Sequence, residues 1–176
     1  GSHRSSVQFM RVCRAWNEDP NYEFFHRVRD VSKVDSLSFN DQCTKQMLEG
    51  AIQRGLCESL KHAHVTFGDV ELYPFFFSRV LAPSLLLQSL DLKHSLFDGA
   101  TMRALAGVFE TTVHLKRLTL EASLNFSDTE PEDALQLIVA ISRLDLTFLS
   151  LSSCLLHTPE VLEIIASIAR KPCLRD

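Results

Sequence analysis

Three residue types able to do nucleophilic chemistry recur at nearly one interval, Ser38, His64 and Asp91 being separated by 26 and 27 residues. In a hydrolase the carboxylate fixes the imidazole in one tautomer, and the imidazole takes the serine proton. His62 and His64 would share one side of a strand and could hold a metal ion if a carboxylate joined them. Either chemistry requires positions 38, 64 and 91 to stand side by side, as they would on adjacent strands about 4.8 Å apart. The expectation is nevertheless a wetted polar face. A hydrolase also needs donors aimed at an oxyanion and a pocket that excludes water, and a zinc site needs a third protein ligand. The sequence offers none of these, so no enzyme activity, cofactor or metal is expected.

The elements that must position these residues are legible in "LTFLSLSSCLL", Leu146–Leu156, whose leucine spacing is neither helical nor evenly alternating. The pattern recurs at Leu115 ("LKRLTLEAS") with Leu118 and Leu120, and at Leu87 ("LQSLDLKHSLF") with Leu90, Leu92 and Phe97. Weaker copies begin at Leu60 ("LKHAHVTFGDV"), with Ala63, Val65 and Val70, and at Val34 ("VDSLSFNDQ"), with Leu37 and Phe39. Leu174 opens another. The starts at 34, 60, 87, 115, 146 and 174 are spaced by about 26–31 residues, a repeat-protein interval. The remainder of each period has room for a helix. Met102, Leu105, Ala106 and Phe109 recur with helical spacing, as do Val161, Ile164, Ile165 and Ile168, and more weakly Leu48, Ala51, Ile52 and Gly55. Asp98, Asp128 or Ser127, and Thr158 before Pro159 are the expected helix starts.

These units resemble leucine-rich repeats, L-x-x-L-x-L-x-x-N/C-x-L, and their length resembles the ribonuclease-inhibitor-like class. The resemblance implies an α/β solenoid over residues 34–176, with parallel strands on a concave side and helices on a convex side. The ninth position, which serves backbone groups in the turn after the strand, is filled by Gln42, Gly68, Ser95, Ser123 and Cys154. Gly68 leaves the second turn without a side-chain partner there.

If the fourth and sixth positions point inward, the third, fifth and seventh face outward. The third-position column is Ser36, His62, Ser89, Arg117 and Phe148; the fifth is Ser38, His64, Asp91, Thr119 and Ser150; the seventh is Asn40, Thr66, Lys93, Glu121 and Ser152. Small polar residues with isolated large ones suit protein binding, in which a few anchors dominate. The expected partner-binding residues are His62, His64, Asp91, Lys93, Arg117, Glu121 and Phe148, with Arg117 and Phe148 foremost. A second surface is an acidic edge of Asp128, Glu130, Glu132 and Asp133 around Pro131, suited to a basic partner. In "ELYPFFFSRV", Leu72, Phe75, Phe76 and Val80 form a core stripe, and Tyr73 and Phe77 occupy a neighbouring face that adjacent repeats would cover.

Residues 4–33 break the rhythm and read as an N-terminal cap, after a Gly-Ser-His opening that reads as a cloning remnant. "VCRAWNEDPNYEFF" resembles the second half of an F-box through Val12, Cys13, Trp16, Asp19, Pro20 and Phe25. That resemblance implies, as an alternative to a general interaction scaffold, the substrate-recognition part of an F-box ubiquitin ligase. A hydrolase using Ser38, His64 and Asp91 is the alternative of another class.

The 176 residues carry a formal net charge of -4 with scattered Lys and Arg, which argues against nucleic acid as a partner. Even "RVLAPSLLLQSLDL" is broken by Pro83, Gln88 and Asp91, so no membrane span is expected. Five cysteines without a C-x-x-C pair point to free thiols in a cytoplasmic or nuclear protein. The unit opened at Leu174 is cut short, which predicts an apolar edge and an end-to-end homodimer. The partner expected for the module itself is another protein.

Overall fold

A computed structural model describes residues 35–39, 41, 43–93, 97–121, 130–152, 154 and 158–174. Residues 1–34, and with them the proposed cap and the residues that resemble an F-box, lie outside the described part. The elements run β1 (Ser36–Phe39), α1 (Lys45–Gln53), α2 (Leu56–Ser59), β2 (His62–Val65) and α3 (Leu72–Phe76), which continues into a π-helical turn (Phe77–Leu81). There follow β3 (Ser89–Lys93), α4 (Gly99–Thr111), β4 (Arg117–Glu121), α5 (Pro131–Arg143), β5 (Phe148–Ser150) and α6 (Pro159–Ala169).

The result is a mixed α/β structure whose strands form one parallel sheet in the order β1-β2-β3-β4-β5. One carbonyl per unit sets the register. The Asp35 carbonyl accepts from the N–H groups of Lys61 and His62, that of Lys61 from Gln88 and Ser89, that of Gln88 from Lys116 and Arg117, and that of Lys116 from Thr147 and Phe148. Each strand start is thereby tied twice to the one before it, and a slip by one residue would turn every apolar side chain out of the core.

Alternation then decides which side is covered. Leu37 and Phe39, Ala63 and Val65, Leu90 and Leu92, and Leu118 and Leu120 point inward and are buried against the helices in one apolar cluster. Each such leucine contributes roughly 1.5–3 kcal/mol by leaving water. The inner face of α4 supplies Met102, Leu105, Ala106 and Phe109, and that of α5 supplies Leu137, Ile138 and Ile141. At the last unit burial is less complete: Leu149, Leu151, Ile164 and Ile165 are only partly covered, and Leu174 packs beside them.

Local chemistry fixes the helix ends. Asp98 Oδ1 accepts from the Thr101 N–H at 2.8 Å, as expected of an N-cap. Helix α5 begins at Pro131 after Glu130, beyond the starts expected at Ser127 or Asp128, because a proline at the first helical position has its φ preset and no N–H to satisfy. Thr158 does precede Pro159, but its side chain makes no capping bond. Gly55, expected on a helical stripe, instead ends α1 with a φ of 85°, a left-handed conformation that glycine adopts without a Cβ penalty.

Two expectations in the second unit are corrected. Val70 is 52% exposed and takes no part in the core. Phe75 is half-buried beneath Lys45, whose Nζ lies 5.0 Å from the ring centroid, while Tyr73 and Phe77 are wholly buried. The wide π-helical turn, with the Ala82 N–H donating to the Phe77 carbonyl, is what turns Phe76, Phe77, Val80 and Leu81 inward together. Tyr73 also answers the gap at Gly68: its Oη accepts the Phe67 N–H at 3.0 Å, serving the turn from a helix because the ninth position cannot.

A candidate protein-interaction face

On the side of the sheet away from the helices, the register turns the sequence columns into rows. Ser36, His62, Ser89, Arg117 and Phe148 are consecutive Cα partners across the five strands, as are Ser38, His64, Asp91, Thr119 and Ser150 one step further on, and Lys93 pairs with Glu121 beyond them. These side chains are exposed or half-buried, and no described helix covers them. Asn40 of the seventh-position column lies outside the described residues.

The rows differ in chemistry. Across the first, the Arg117 guanidinium lies over the Phe148 ring, 4.4 Å from the centroid, a stacking worth about 0.5–1 kcal/mol at an exposed site. In the second, His64 Nδ1 and Asp91 Oδ2 are 2.9 Å apart, the arrangement in which Nδ1–H donates to the carboxylate. Lys93 Nζ lies 3.5 Å from the same oxygen and 3.7 Å from Glu121 Oε2, so His64, Asp91, Lys93 and Glu121 form one connected polar chain. Asp91 Oδ1 is shielded from solvent and has no hydrogen-bond partner among the described residues, so this carboxylate depends on the His64 N–H and the Lys93 ammonium at its other oxygen.

The same geometry bears on nucleophilic chemistry. The sheet does bring Ser38, His64 and Asp91 together, around an open depression of about 390 Å³ that Ser36, His62 and Ser89 also line. The carboxylate–imidazole bond is made, but no hydrogen bond joins Ser38 Oγ to His64 among the described residues. The strand N–H groups are committed to the parallel ladder rather than aimed at the depression. Among the described residues no group of three His, Cys, Asp or Glu side chains is placed to hold a metal ion, and His62 and His64 acquire no third ligand.

The acidic edge divides. Glu130 and Glu132 are exposed at the start of α5, whereas Asp133 is 8% exposed and bonded to Arg103 Nη1 of α4. Asp128 lies outside the described residues. Gly99 makes the burial of Asp133 feasible, since a Cβ at that position would collide with the carboxylate. Arg103 and Asp133 stand 30 residues apart, close to one repeat, which is the signal by which the sequence could have disclosed this pair.

Elsewhere, Cys43, Cys57, Cys154 and Cys173 are free thiols, and burial pushes Cys43 up to about 12. Cys154, in the ninth position of its unit, donates from Sγ to the Leu120 carbonyl, the service to the turn expected there. No helix of the described residues is long and apolar enough to cross a membrane.

No family model matches the chain, and no curated protein matches it. Its fold is similar to that of the tropomodulin C-terminal domain of Caenorhabditis elegans, with a TM-score of 0.63 and 10% identity over 82% of this chain and 87% of that one. It is also similar to the actin-binding site 2 domain of leiomodin-1, with a TM-score of 0.57 and 13% identity over 82% of this chain and 84% of that one. These findings overturn the assignment to ribonuclease-inhibitor-like repeats and to the F-box type. The leucine spacing that suggested the repeat class records how a strand packs under a helix, a constraint that different families satisfy alike, and the residues that resembled an F-box lie outside the described part.

Proposed function

We propose that the chain is a non-enzymatic protein-interaction module. Its strand–helix units form a repeat solenoid, and its strand-lined face meets another protein. The observation that carries this reading is the Arg117–Phe148 pair, two large side chains from adjacent strands in contact at 4.4 Å on a face that no described helix occupies. A preassembled pair loses little side-chain entropy on binding, and Arg and aromatic residues are the usual anchors of protein interfaces. The exposed Glu130 and Glu132 offer a second, acidic edge to a basic surface.

The likeness to leiomodin-1 actin-binding site 2 makes actin the first partner to test. Free cysteines suit a cytoplasmic or nuclear setting. In this reading residues 4–33 cap the first strand and residues 34–176 are the repeat domain. Co-sedimentation with actin filaments and titration against monomeric actin should both be performed with the native chain and with Arg117→Ala/Phe148→Ala. Saturable binding weakened about tenfold or more by the double change, with unaltered thermal unfolding, supports the face. Equal affinity of the two proteins refutes it.

A further inference from the structure

The chemistry of the partner can be read one step further, on the premise that the strand face binds protein. Charged groups in its second and third rows are engaged with one another within the molecule, through His64, Asp91, Lys93 and Glu121. The first row is different. Ser36, His62, Ser89, Arg117 and Phe148 include no acid, and no carboxylate of the described residues lies within ion-pair reach of Arg117. Its neighbour Lys116 is held by the Asp145 carbonyl at 3.1 Å and adds positive charge at the same margin of the sheet. A negative group arriving at the first row therefore displaces no internal partner, whereas one arriving at the second or third competes with Asp91 or Glu121.

We propose that this row reads a carboxylate: an acidic side chain of an extended protein segment, docked on the Arg117 guanidinium. Contact with the Phe148 ring, 4.4 Å from guanidinium carbon to centroid, restrains the guanidinium, and no carboxylate of the described residues engages its N–H groups. A planar fork held in this way matches the two oxygens of a carboxylate, a geometry a lysine cannot supply. The Ser89 hydroxyl and the exposed His62 ring follow on the next two strands. Four inter-strand steps of about 4.8 Å give the row a length of roughly 19 Å, which an extended segment of some six residues spans. An uncovered row of that length fits a peptide segment better than a small organic acid, and the open depression at its Ser36–His62–Ser89 end leaves room for side chains.

The test is an NMR titration of the isotope-labelled protein with three blocked hexapeptides: hexaglutamate, hexaglutamine, and a phosphoserine hexapeptide. Hexaglutamate should shift the Arg117 side-chain resonance and the amides of Ser89, Arg117 and Phe148 saturably, and hexaglutamine should not. Arg117→Lys should weaken hexaglutamate binding at least about tenfold by losing the fork, and Arg117→Gln should abolish it. Circular dichroism of both variants verifies that they fold, which is expected of an exposed position. Equal shifts on the face from hexaglutamate and hexaglutamine would overturn the carboxylate assignment and leave the face as a peptide-binding surface. Shifts that fall off the face, or no binding of any peptide, would sink both readings. Binding of the phosphoserine peptide alone would replace the carboxylate by a phosphate and overturn the proposal.

Discussion

Removing one hydroxyl, by Tyr73→Phe, tests the idea that a helix residue stands in for the missing side chain at Gly68. The ring is wholly buried and packs on Phe67, Phe97 and Phe77 with centroids 4.9, 5.1 and 5.7 Å away, so phenylalanine preserves the apolar contacts. What disappears is the acceptor for the Phe67 N–H, in a residue only 5% exposed. A buried donor stripped of its partner costs about 1–3 kcal/mol. For a domain of this size each kcal/mol moves Tm by roughly 2–4 °C, so Tm should fall by about 2–12 °C. The urea midpoint should fall with m unchanged, since no additional surface is exposed. A Tm within about 1 °C of the parent would show that water or another group serves this N–H, and would refute the reasoning. Gly68→Asn sharpens the test. Its Cβ would stand 3.2 Å from the Asp41 Cβ, a contact that an exposed loop relieves by a small shift. An amide there supplies the turn with the acceptor that the ninth position usually holds, so the double variant should recover part of what Tyr73→Phe loses. Strict additivity of the two changes would mean that they serve different groups.

Other consequences can be checked on the same protein. Gly99→Ala should destabilise by about 1–3 kcal/mol, because the new Cβ meets the Asp133 carboxylate, and adding Asp133→Ala should recover much of that loss in a chemical-denaturation cycle. Hydrogen bonds from Thr101, its side chain first and then its backbone, hold Asp98 below its usual 3.8. A lowered carboxylate pKa stabilises the fold above 3.8 and loses that contribution as pH falls through the folded value. Asp98→Asn, which keeps a capping acceptor but does not titrate there, should therefore show a shallower loss of stability below about pH 4 in parallel urea titrations. Self-association through the partly covered Leu149, Leu151, Ile164 and Ile165 is a proposal that light scattering tests: the mass should rise with concentration, and Ile165→Glu should return it to the monomer. A constant monomer mass over that range would exclude this association.

Much of the geometry was legible because one interval governs it. Apolar residues, mostly leucine, at the first, fourth and sixth places of each unit fix both the strands and their register, and so place Arg117 beside Phe148 and Asp91 beside His64. The widening of the helix after Phe76 was not legible. It depends on how Phe76, Phe77, Val80 and Leu81 are buried together, and helical periodicity carries no signal for that. The role of Asp133 was hidden for a different reason. Acidic residues at a helix start are ordinarily wetted and favoured by the dipole, and only the absence of a Cβ at Gly99 lets this one turn inward to Arg103. Family membership was the least legible property, since the apolar spacing is demanded by packing and the outward columns, which could distinguish families, are free to vary.

That freedom also explains why this face suits recognition better than catalysis. The double tie from each carbonyl to the next strand makes the rows rigid, and the inward leucines make the tie costly to break. Outward residues are thereby held at fixed spacing while contributing less to stability than the buried leucines, so most can change with little penalty. An open sheet cannot enclose a reacting bond, and the His64–Asp91 bond on it lacks both the serine contact and the aimed donors that would give it a reaction to assist. It does something else. By tying Asp91 to His64 and Lys93, it removes the acid nearest to the first row from competition for a cation, and leaves Arg117 the most available charge on the face. Asp91→Asn should accordingly weaken the internal chain while leaving a carboxylate-bearing partner of Arg117 bound. Placing a new acid in the first row, as Ser89→Asp does, should compete for the guanidinium directly and reduce that binding about tenfold or more, which a titration of the two variants with hexaglutamate decides.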